Sequence, residues 1–396
     1  MHMIKEHDVI VVGGGPSGLN SARRLSEKGF DVAVLERKNE IGKNVVCTGI
    51  VGKEAFDRFG LHPNSILTEV QHFKMVSPNM TSVLYSHSFP FAYVVDREKF
   101  DNNLANDAKS KGATFKLNHE VVDIISDENY VNIVTKINGS QYVTFRGKAL
   151  ILATGIDVRL NKNLGLGYIK EYLYGIQSEI NFKQNGCPEI FVGKDVTPGA
   201  FAWVVPVNKE KARVGLLAKR DPHIYFERFI QKLFPDSSID LSQEKIMSKP
   251  IAQGLMAKSY GNRMLVVGEA AGQVKTTTGG GIFFGLLCSD IASEIISNGL
   301  REDILTTQYL SSYEKYWKKE IQKEIMVGHY TRKICEKLSD SQVESMFQIA
   351  LNDGVIPLMK KKGNFDWQSE IILALAKKAP FKSFQSLCSK GQFSKS

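Results

Sequence analysis

The glycine-rich turn GGGPSG constrains the fold of this chain more than any other segment. The apolar run DVIVV at residues 8–12 predicts a buried strand before the turn, and residues 16–28 have the apolar spacing of a helix. A second buried strand, DVAVLE, follows at residues 31–36. Strand, helix and strand in this order predict one right-handed βαβ unit with parallel strands.

The spacing of the glycines in this turn predicts that it binds a dinucleotide. Gly13 permits a tight turn, Gly15 lets a pyrophosphate approach the backbone, and Gly18 lets the helix pack on the strand. Glu36 ends the second strand, where its carboxylate can accept hydrogen bonds from ribose hydroxyls. We therefore predict a cofactor that contains ADP. The other residues that we assign to this part of the site are Pro16, Ser17 and Arg37.

Two later segments favour FAD over NAD as this cofactor. ALILATG ends a buried strand at Thr154 and Gly155, and RMLVVGEAAG ends another at Gly268 and Glu269. Ligands of open α/β sheets bind at the carboxyl ends of such strands, so Glu269 can reach hydroxyls between the flavin and the pyrophosphate. A nicotinamide-only enzyme has no need of this third strand, which disfavours an NAD-dependent dehydrogenase.

Three consecutive glycines, Gly279 to Gly281, open the apolar helix that follows. They let the backbone approach a flat ring closely, and the positive end of the helix would stabilise negative charge on a reduced flavin. We therefore predict that Gly280, Gly281 and Ile282 lie against the flavin, with the two glycines taking part in catalysis. The alternative is a helix start whose small residues serve only packing.

The length of 396 residues exceeds the usual limit of a single core, which predicts more than one domain. Alternating strand-like runs indicate an antiparallel sheet inserted into the nucleotide-binding part. The predicted class is α/β: a Rossmann-like parallel sheet with a β-meander, beside this antiparallel sheet. Three short alternating stretches across residues 113–145 predict the antiparallel strands of the meander. We assign residues 1–70, 95–165 and 255–300 to a discontinuous FAD-binding domain, residues 71–94 and 166–254 to a substrate domain, and residues 301–396 to a helical C-terminal region.

The charge balance restricts the partners of the chain. There are 51 Lys and Arg against 42 Asp and Glu, for a net charge of +9. This excess is either a solvated basic surface or an attraction to anionic lipid headgroups or an acidic electron-transfer partner. The lysines do not form one stripe interleaved with aromatic residues, so we expect no nucleic-acid binding.

The N-terminus and the cysteines bear on location. The N-terminus is polar, and no run of 18 apolar residues occurs, so we expect neither a secretory signal nor a membrane-spanning helix. Five widely spread cysteines show no CxxC or metal-ligand spacing, which suits a reducing cytosol and predicts no metal. We expect a cytoplasmic protein, with association at a membrane surface as one use of its positive charge.

Several segments together resemble the geranylgeranyl reductase family of flavoproteins, which has the p-hydroxybenzoate-hydroxylase-like fold. They are GGGPSG with Glu36, the loop VVCTGIVG at residues 45–52, Val-Asp-Arg at residues 95–97, and GEAAG followed by GGGI. The likeness covers residues 7–300. It implies an FAD-dependent enzyme that reduces double bonds in the geranylgeranyl chains of lipids by hydride transfer from flavin N5.

The same resemblance implies a set of flavin contacts. Glu36 would bind the adenosine ribose, Arg97 would reach the polar linker of the cofactor, and the backbone of Val121 would meet the adenine. Cys47, Thr48 and Ile50 would border the flavin, with Gly281 and Ile282 facing the isoalloxazine ring. Cys47 is the ionisable residue that these motifs place near the flavin, either as a proton donor or as a small packing residue.

The segment PGAFAWVVP resembles the aromatic motif that lines the prenyl cavity of this family. Phe201, Trp203 and Pro206 match the motif, whereas Val205 stands where the family usually has Phe. Phe201 and Trp203 are two residues apart, so on a strand they share one face and can form an aromatic wall against an isoprenoid. The alternative is a pair of core aromatic residues.

Two departures from the family pattern leave other functions open. Glu269 stands where the family has Asp, and Val158 follows Asp157 where flavin hydroxylases have Gly. The second departure argues against a single-component hydroxylase and leaves the electron donor, ferredoxin or NADPH, undetermined. The alternatives are a flavin monooxygenase or halogenase, and a non-catalytic escort that binds prenyl groups. The C-terminal stretch KAPFKSFQSLCSK mixes Lys with apolar residues and is either a membrane-surface segment or an ordinary tail.

Overall fold

The computed structural model describes residues 6–182, 186–235, 244–352 and 355–378. The strands are β1 (Glu6–Val12), β2 (Val32–Leu35), β3 (Ile50–Gly52), β4 (Ile66–Val70), β5 (His72–Val76), β6 (Ser82–Ser86), β7 (Ala92–Val95), β8 (Thr114–Lys116), β9 (His119–Ser126), β10 (Val131–Ile137), β11 (Gln141–Leu152), β12 (Tyr172–Asn181), β13 (Glu189–Phe191), β14 (Ala202–Pro206), β15 (Lys211–Ala218), β16 (Met247–Ala252), β17 (Tyr260–Gly261) and β18 (Met264–Val266).

The helices alternate with these strands in the first part of the chain and follow one another at the end. They are α1 (Pro16–Glu27), α2 (Lys53–Phe59), α3 (Arg97–Ser110), α4 (Arg159–Asn163), α5 (Pro222–Leu233), α6 (Ile282–Arg301), α7 (Thr307–Cys335), α8 (Asp340–Asn352), α9 (Val355–Lys362) and α10 (Ser369–Lys378). Two short 3₁₀ helices lie at Pro63–Ser65 and Gly268–Ala271.

The predicted βαβ unit forms the centre of the first sheet. Strand β1 pairs in parallel with β2 on one side and with β11 on the other, and β8 and β18 extend the parallel part. Val9, Ile10 and Val11 are completely buried because both faces of this sheet are covered: Val9 and Val11 pack in one core with α1 and α6, and Ile10 packs in another with β9 and β10. This explains their uninterrupted apolar run. The α/β class predicted from the sequence is confirmed.

The β-meander differs in one respect from the sequence prediction. Three antiparallel stretches were expected across residues 113–145, but β8 pairs in parallel with β2. Helix α3 precedes β8 and supplies the crossover that a parallel strand needs. The antiparallel part is β9, β10 and the first half of β11, and the second half of β11 continues in parallel beside β1.

The inserted sheet has the order β16-β12-β15-β14-β13-β5-β6. Its strands pair antiparallel except for β13 with β5, and α5 covers one face with Phe226, Phe229 and Ile230. A third sheet, β3-β7-β4, lies at the junction. Strand β3 begins at the end of the loop of residues 45–52, and β7 ends just before α3. This small sheet therefore positions the loop and the start of α3 beside the nucleotide site.

The last helices are packed into the nucleotide-binding part. Tyr313, Trp317 and Ile321 of α7 are completely buried in the same core as α1 and α6. The sequence analysis assigns this region only as helical and C-terminal, whereas in the structure α7 is part of the central core. Among the described residues, α6 is long and apolar enough to cross a membrane. Most of it is buried inside the protein, as expected of a core helix in a globular domain.

Candidate active site

The three glycines of the first glycine turn (residues 13–18) have different surroundings. Gly13 has φ +111°, and a Cβ there would lie 2.3 Å from Ala153 O. A Cβ on Gly18 would lie 2.0 Å from Gly13 O, so helix and strand meet too closely for any side chain. A Cβ on Gly15 would meet nothing within 4 Å. The free space lies at Gly15, where the pyrophosphate was expected to approach.

Glu36 reaches back to this turn from the end of β2. Its Oε2 accepts a hydrogen bond from Gly14 N–H at 2.6 Å, and its Oε1 accepts one from Lys38 N–H at 2.8 Å. These bonds fix the carboxylate next to the turn. The backbone of β9 lies alongside, because His119 N–H donates to Glu36 O at 2.9 Å. Val121, the residue expected at the adenine, follows on this strand and is buried.

The segment that follows β18, with Gly268 and Glu269, packs against the first glycine turn. Gly268 has φ +69°, and a Cβ there would lie 2.4 Å from Ser17 Oγ. Gly155 faces the same region, since its Cβ position is 4.0 Å from Glu269 Oε2. The Glu269 carboxylate is also bonded by Lys249 Nζ at 3.0 Å. The carboxyl ends of β1, β11 and β18 therefore meet at one place, as the sequence predicts for a dinucleotide site.

Two arginines of the predicted site have different surroundings. Arg37 is exposed, with Nη1 4.0 Å from Asp157 Oδ2. Arg97 begins α3 and is buried, with Nη2 3.0 Å from both carboxylate oxygens of Asp101. Burial lowers the pKa of Arg97, but Asp101 outweighs it and keeps the pKa above the ordinary value. Arg97 Nε is buried and has no hydrogen-bond partner among the described residues. It is a donor available to the polar linker of a cofactor.

The loop of residues 45–52 brings Cys47 and Thr48 to the wall of the site. Cys47 Sγ accepts a hydrogen bond from Gly49 N–H at 3.3 Å. Thr48 Oγ1 donates to Gln177 Oε1 at 3.2 Å on the inserted sheet. Burial raises the pKa of the Cys47 thiol, but the positive charges of Arg97 and Lys249 outweigh it and leave the pKa below its ordinary value.

The flavin turn (residues 275–281) leads into α6. Lys275 N–H donates to Gly280 O at 2.9 Å, and Gly279 N–H donates to Lys275 O at 2.8 Å, which closes the turn. Gly279 has φ +74°. The C-terminal helices hold this turn in place, because Thr276 Oγ1 donates to Ile325 O at 2.7 Å.

One cavity of about 860 Å³ joins these parts. It runs from the first glycine turn past Cys47 and the flavin turn, and continues between the inserted sheet and the C-terminal helices. Its volume is typical of a ligand site, roughly 300–1,000 Å³. The cavity lining includes residues predicted from the first glycine turn, the loop of residues 45–52, the flavin turn with the start of α6, and the aromatic segment: Gly15, Cys47, Ile50, Gly281, Ile282 and Trp203.

The aromatic segment on β14 contributes one wall of the cavity. The rings of Phe201 and Trp203 are 5.8 Å apart, and both line the cavity together with Val205. Pro206 does not line it, which departs from the prediction that it contacts substrate. The reason is the strand alternation, since Ala202, Val204 and Pro206 point to the opposite face of β14.

The C-terminal helices form the opposite wall, which the sequence reasoning missed. Their contribution is apolar: Cys335, Leu338, Phe347, Met359, Ile371 and Leu375. Lys275 and Asp366 also line the cavity, and neither was predicted. The segment NFDWQ at residues 364–368 could have been noticed, because an acidic residue between two aromatic residues is unusual in a surface connection.

The sequence of this chain is similar to those of known proteins. Residues 7–177 match the family described as Pyridine nucleotide-disulphide oxidoreductase. A digeranylgeranylglycerophospholipid reductase of Methanocaldococcus jannaschii is 29% identical over 371 residues, which cover 90% of this chain and 93% of that protein. The resemblance to the geranylgeranyl reductase family is confirmed. The chain is an FAD-dependent oxidoreductase related to geranylgeranyl reductases.

Solved structures agree on the fold. A geranylgeranyl bacteriochlorophyll reductase-like protein from Thermoplasma acidophilum superimposes with a TM-score of 0.87, at 21% identity, covering 98% of this chain and all of that one. The p-nitrophenol 4-monooxygenase of Pseudomonas putida gives a TM-score of 0.72 at 18% identity, covering 91% of this chain and 97% of that one. At these identities the two structures support the fold, and not a shared substrate.

The residues of this chain fit FAD. The open space at Gly15 suits a pyrophosphate, and the buried, unpartnered Arg97 Nε suits a charged linker. Glu36 and Glu269 supply carboxylates on either side of these groups, where ribose and ribityl hydroxyls need acceptors. The flavin turn and the loop of residues 45–52 would then hold the ring.

Proposed function

We propose that this protein reduces carbon–carbon double bonds in isoprenoid chains of lipids, with geranylgeranyl lipids as the substrate class. The observation that carries the proposal is the apolar cavity that continues from the flavin turn to the C-terminal helices. A hydrocarbon chain offers no polar groups, so its binding depends on apolar area removed from water. Relatives named digeranylgeranylglycerophospholipid reductase support the same substrate class.

The protein would position the isoprenoid chain for this reaction and exclude water from it. Bound FAD supplies the hydride chemistry that side chains lack. Phe201 and Trp203 would hold the isoprenoid chain from the inserted sheet, while the C-terminal helices close the other side and exclude water. Holding the double bond at the flavin turn converts a bimolecular encounter into a reaction within one complex.

A proton must also reach the second carbon of each double bond. Cys47 Sγ is an available source, because it lines the cavity and its pKa is held below the ordinary value by Arg97 and Lys249. The other role for Cys47 is to shape the wall of the site. A Cys47→Ser variant distinguishes the two roles, since full single-turnover reduction by this variant would remove Cys47 as the proton donor.

The experiment that tests the proposed function is anaerobic. The purified protein is reduced with dithionite, and a geranylgeranyl lipid is added in detergent. We expect reoxidation of the flavin together with the gain of two hydrogens per reduced bond, measured by mass spectrometry of the lipid. Reoxidation without a change in lipid mass, or no reoxidation with any geranylgeranyl lipid, would contradict the proposal.

Two other functions fit the same fold. A flavin monooxygenase or halogenase has support from the fold of the p-nitrophenol 4-monooxygenase. The reduced protein would then form product only with oxygen, and a halogenase would need a halide as well. A non-catalytic escort for prenyl groups would bind the lipid and leave its mass unchanged. The anaerobic experiment separates all three functions because only the proposed reductase changes the lipid without oxygen.

The electron donor and the location are further parts of the proposal. We propose an external donor, either ferredoxin or NADPH, for a cytoplasmic protein that associates with the membrane surface. The net charge of +9 and the basic end of α9, Lys360–Lys362, support attraction to anionic lipids. The stretch KAPFKSFQSLCSK lies, beyond its first residue, outside the described residues. Binding to anionic vesicles at low salt, and not to neutral ones, is the expected result of co-sedimentation.

A further inference from the structure

An ion pair is buried directly behind the flavin turn. Lys275 Nζ lies 2.8 Å from Asp366 Oδ1, and the two side chains are only 7% and 2% exposed. Lys275 Nζ also donates to Phe365 O at 3.3 Å and lies 4.4 Å from the centre of the Phe365 ring. Asp366 Oδ2 is buried and has no hydrogen-bond partner among the described residues. The pair is therefore desolvated and only partly satisfied.

The Lys275 ammonium is close to the glycines that were predicted to face the flavin. A Cβ placed on Gly280 would lie 3.5 Å from Lys275 Nζ. The backbone of Lys275 closes the same turn through its bonds to Gly279 and Gly280. Lys275, Asp366 and the glycines line the same cavity. The flavin turn therefore carries a positive charge, the ammonium of Lys275.

Stability alone does not account for this pair. Removing two charges from water costs several kcal/mol per ion, and an apolar pair of similar volume is often at least as stable. The chain also makes room for the carboxylate, because a Cβ on Gly52 would lie 2.0 Å from Asp366 Oδ2. Gly52 has φ −62°, so its backbone conformation does not require glycine.

We propose that Lys275 and Asp366 together set the reduction potential of the bound flavin. Lys275 would supply a cation at the flavin turn, and its charge would favour the reduced, negatively charged form of a flavin bound there. Asp366 is a positioning residue that fixes the ammonium and offsets its charge. Charges near a flavin tune its electronics, and they act strongly where water is excluded. The proposal rests on FAD as the cofactor and is independent of the substrate.

The two charges predict opposite effects when each is removed. Lys275→Met leaves an unpaired carboxylate, so we expect the equilibrium between oxidised and reduced flavin to move about tenfold towards the oxidised form. Asp366→Asn leaves an unpaired ammonium, and we expect a shift of about tenfold towards the reduced form. Each shift corresponds to about 30 mV for a two-electron couple. The double variant restores the net charge and returns the potential close to that of the parent protein.

The measurement is an anaerobic titration of the FAD-loaded protein against a reference dye, followed by absorbance and without any lipid. Lys362→Met is the control, because it removes an exposed ion pair with Glu370 on the same part of the chain and leaves the potential unchanged. Shifts of both single variants in the same direction, or no shift in either, would overturn the proposal. If Lys275→Met does not retain flavin, Asp366→Asn decides alone, since an unchanged or lowered potential contradicts the proposal.

Discussion

The first glycine turn and the flavin turn are held by different kinds of neighbours. At residues 13–18 the close contacts come from the turn itself and from the segments that follow β11 and β18 in the same sheet: Cβ atoms placed on Gly18, Gly13 and Gly268 would lie 2.0 Å from Gly13 O, 2.3 Å from Ala153 O and 2.4 Å from Ser17 Oγ. At residues 275–281 two side chains of the turn are bonded to the C-terminal region. Thr276 is bonded to Ile325, 49 positions away, and Lys275 to Asp366, 91 positions away.

This difference shows that the first glycine turn depends on one sheet, whereas the flavin turn connects the nucleotide-binding part with the C-terminal region. A turn whose close neighbours all belong to one parallel sheet can bind ADP in many proteins with little dependence on the rest of the chain. A turn held by α7 and by the segment that contains Asp366 couples the flavin to the wall of the apolar cavity. The C-terminal helices therefore take part in both the flavin site and the cavity.

The largest expected effect is at the first glycine turn. Gly18→Ala places a methyl group 2.0 Å from Gly13 O, and backbone atoms on both sides prevent a local adjustment. We expect the free energy of unfolding to fall by about 3 kcal/mol, as in overpacked cores, and bound flavin to be lost. Urea denaturation and the flavin absorbance of the purified protein measure these two effects.

Gly15→Ala is the matched control for this substitution. Its methyl group meets no protein atom within 4 Å, so stability should stay near that of the parent protein. Flavin binding should still weaken, because the methyl group occupies the space left for the pyrophosphate. Equal loss of stability in the two variants would contradict the separate roles of the two glycines.

The next effect tests whether α7 supports the flavin turn. Gly328→Ala would place a methyl group 2.6 Å from Thr276 Oγ1 and 3.2 Å from Thr277 N. Overpacking of this kind costs about 2 kcal/mol, which corresponds to roughly thirtyfold in flavin affinity if the turn absorbs the strain. Fluorescence titration of the flavin-free protein with FAD measures the affinity. Lys319→Ala, on the exposed side of α7, should bind FAD as the parent does.

The sequence was sufficient for the parts of the site whose constraints are local. The βαβ unit, Glu36 and the ends of β11 and β18 follow from apolar runs and glycine spacing, since each strand and its turn are contiguous. The three residues of β8 do not show that this strand pairs in parallel with β2 and lies outside the meander, because that pairing depends on the crossover by α3. Periodicity describes which residues are buried and not which element buries them.

The opposite wall of the cavity was not predictable in the same way. Phe347 lies on α8 and Ile371 on α10, and nothing local distinguishes a helix face that lines a cavity from one that packs in a core. The pairing of Lys275 with Asp366 joins two segments that only the folded chain brings together. Pro206 was misplaced because a family motif names residues and does not state which face of the strand each one occupies.

A smaller effect is expected at the wall formed by the inserted sheet. Trp203→Leu removes part of the aromatic surface that lines the cavity but keeps an apolar side chain. We expect KM for a geranylgeranyl lipid to rise about tenfold, equivalent to about 1.4 kcal/mol, with flavin content unchanged. Pro206→Ala, on the opposite face of β14, serves as the control and should leave KM unchanged. A rise in KM for both variants would indicate general damage to the strand.

The smallest effect concerns Cys47, which lies between the two turns and is influenced by both local and distant charges. Arg97 and Lys249 hold the pKa of Cys47 below its ordinary value, and Lys249 comes from the inserted sheet. Lys249→Met removes one cation, so the pKa rises and the fraction of thiolate at a fixed pH falls. We expect alkylation of Cys47 by iodoacetamide at pH 7 to slow about threefold.

Peptide mass spectrometry over a range of pH separates Cys47 from the other cysteines. Cys335 is an internal reference, because burial raises its pKa to about 11 and it should stay unreactive at pH 7. Lys245→Met is the matched control, since Lys245 Nζ bonds the exposed Asn44 at 2.7 Å and is not among the charges that lower the pKa of Cys47. An unchanged alkylation profile in Lys249→Met would mean that Arg97 alone sets this pKa. Cys47 would then be controlled from the nucleotide-binding part, where Arg97 begins α3, and the inserted sheet would have no electrostatic part in the flavin site.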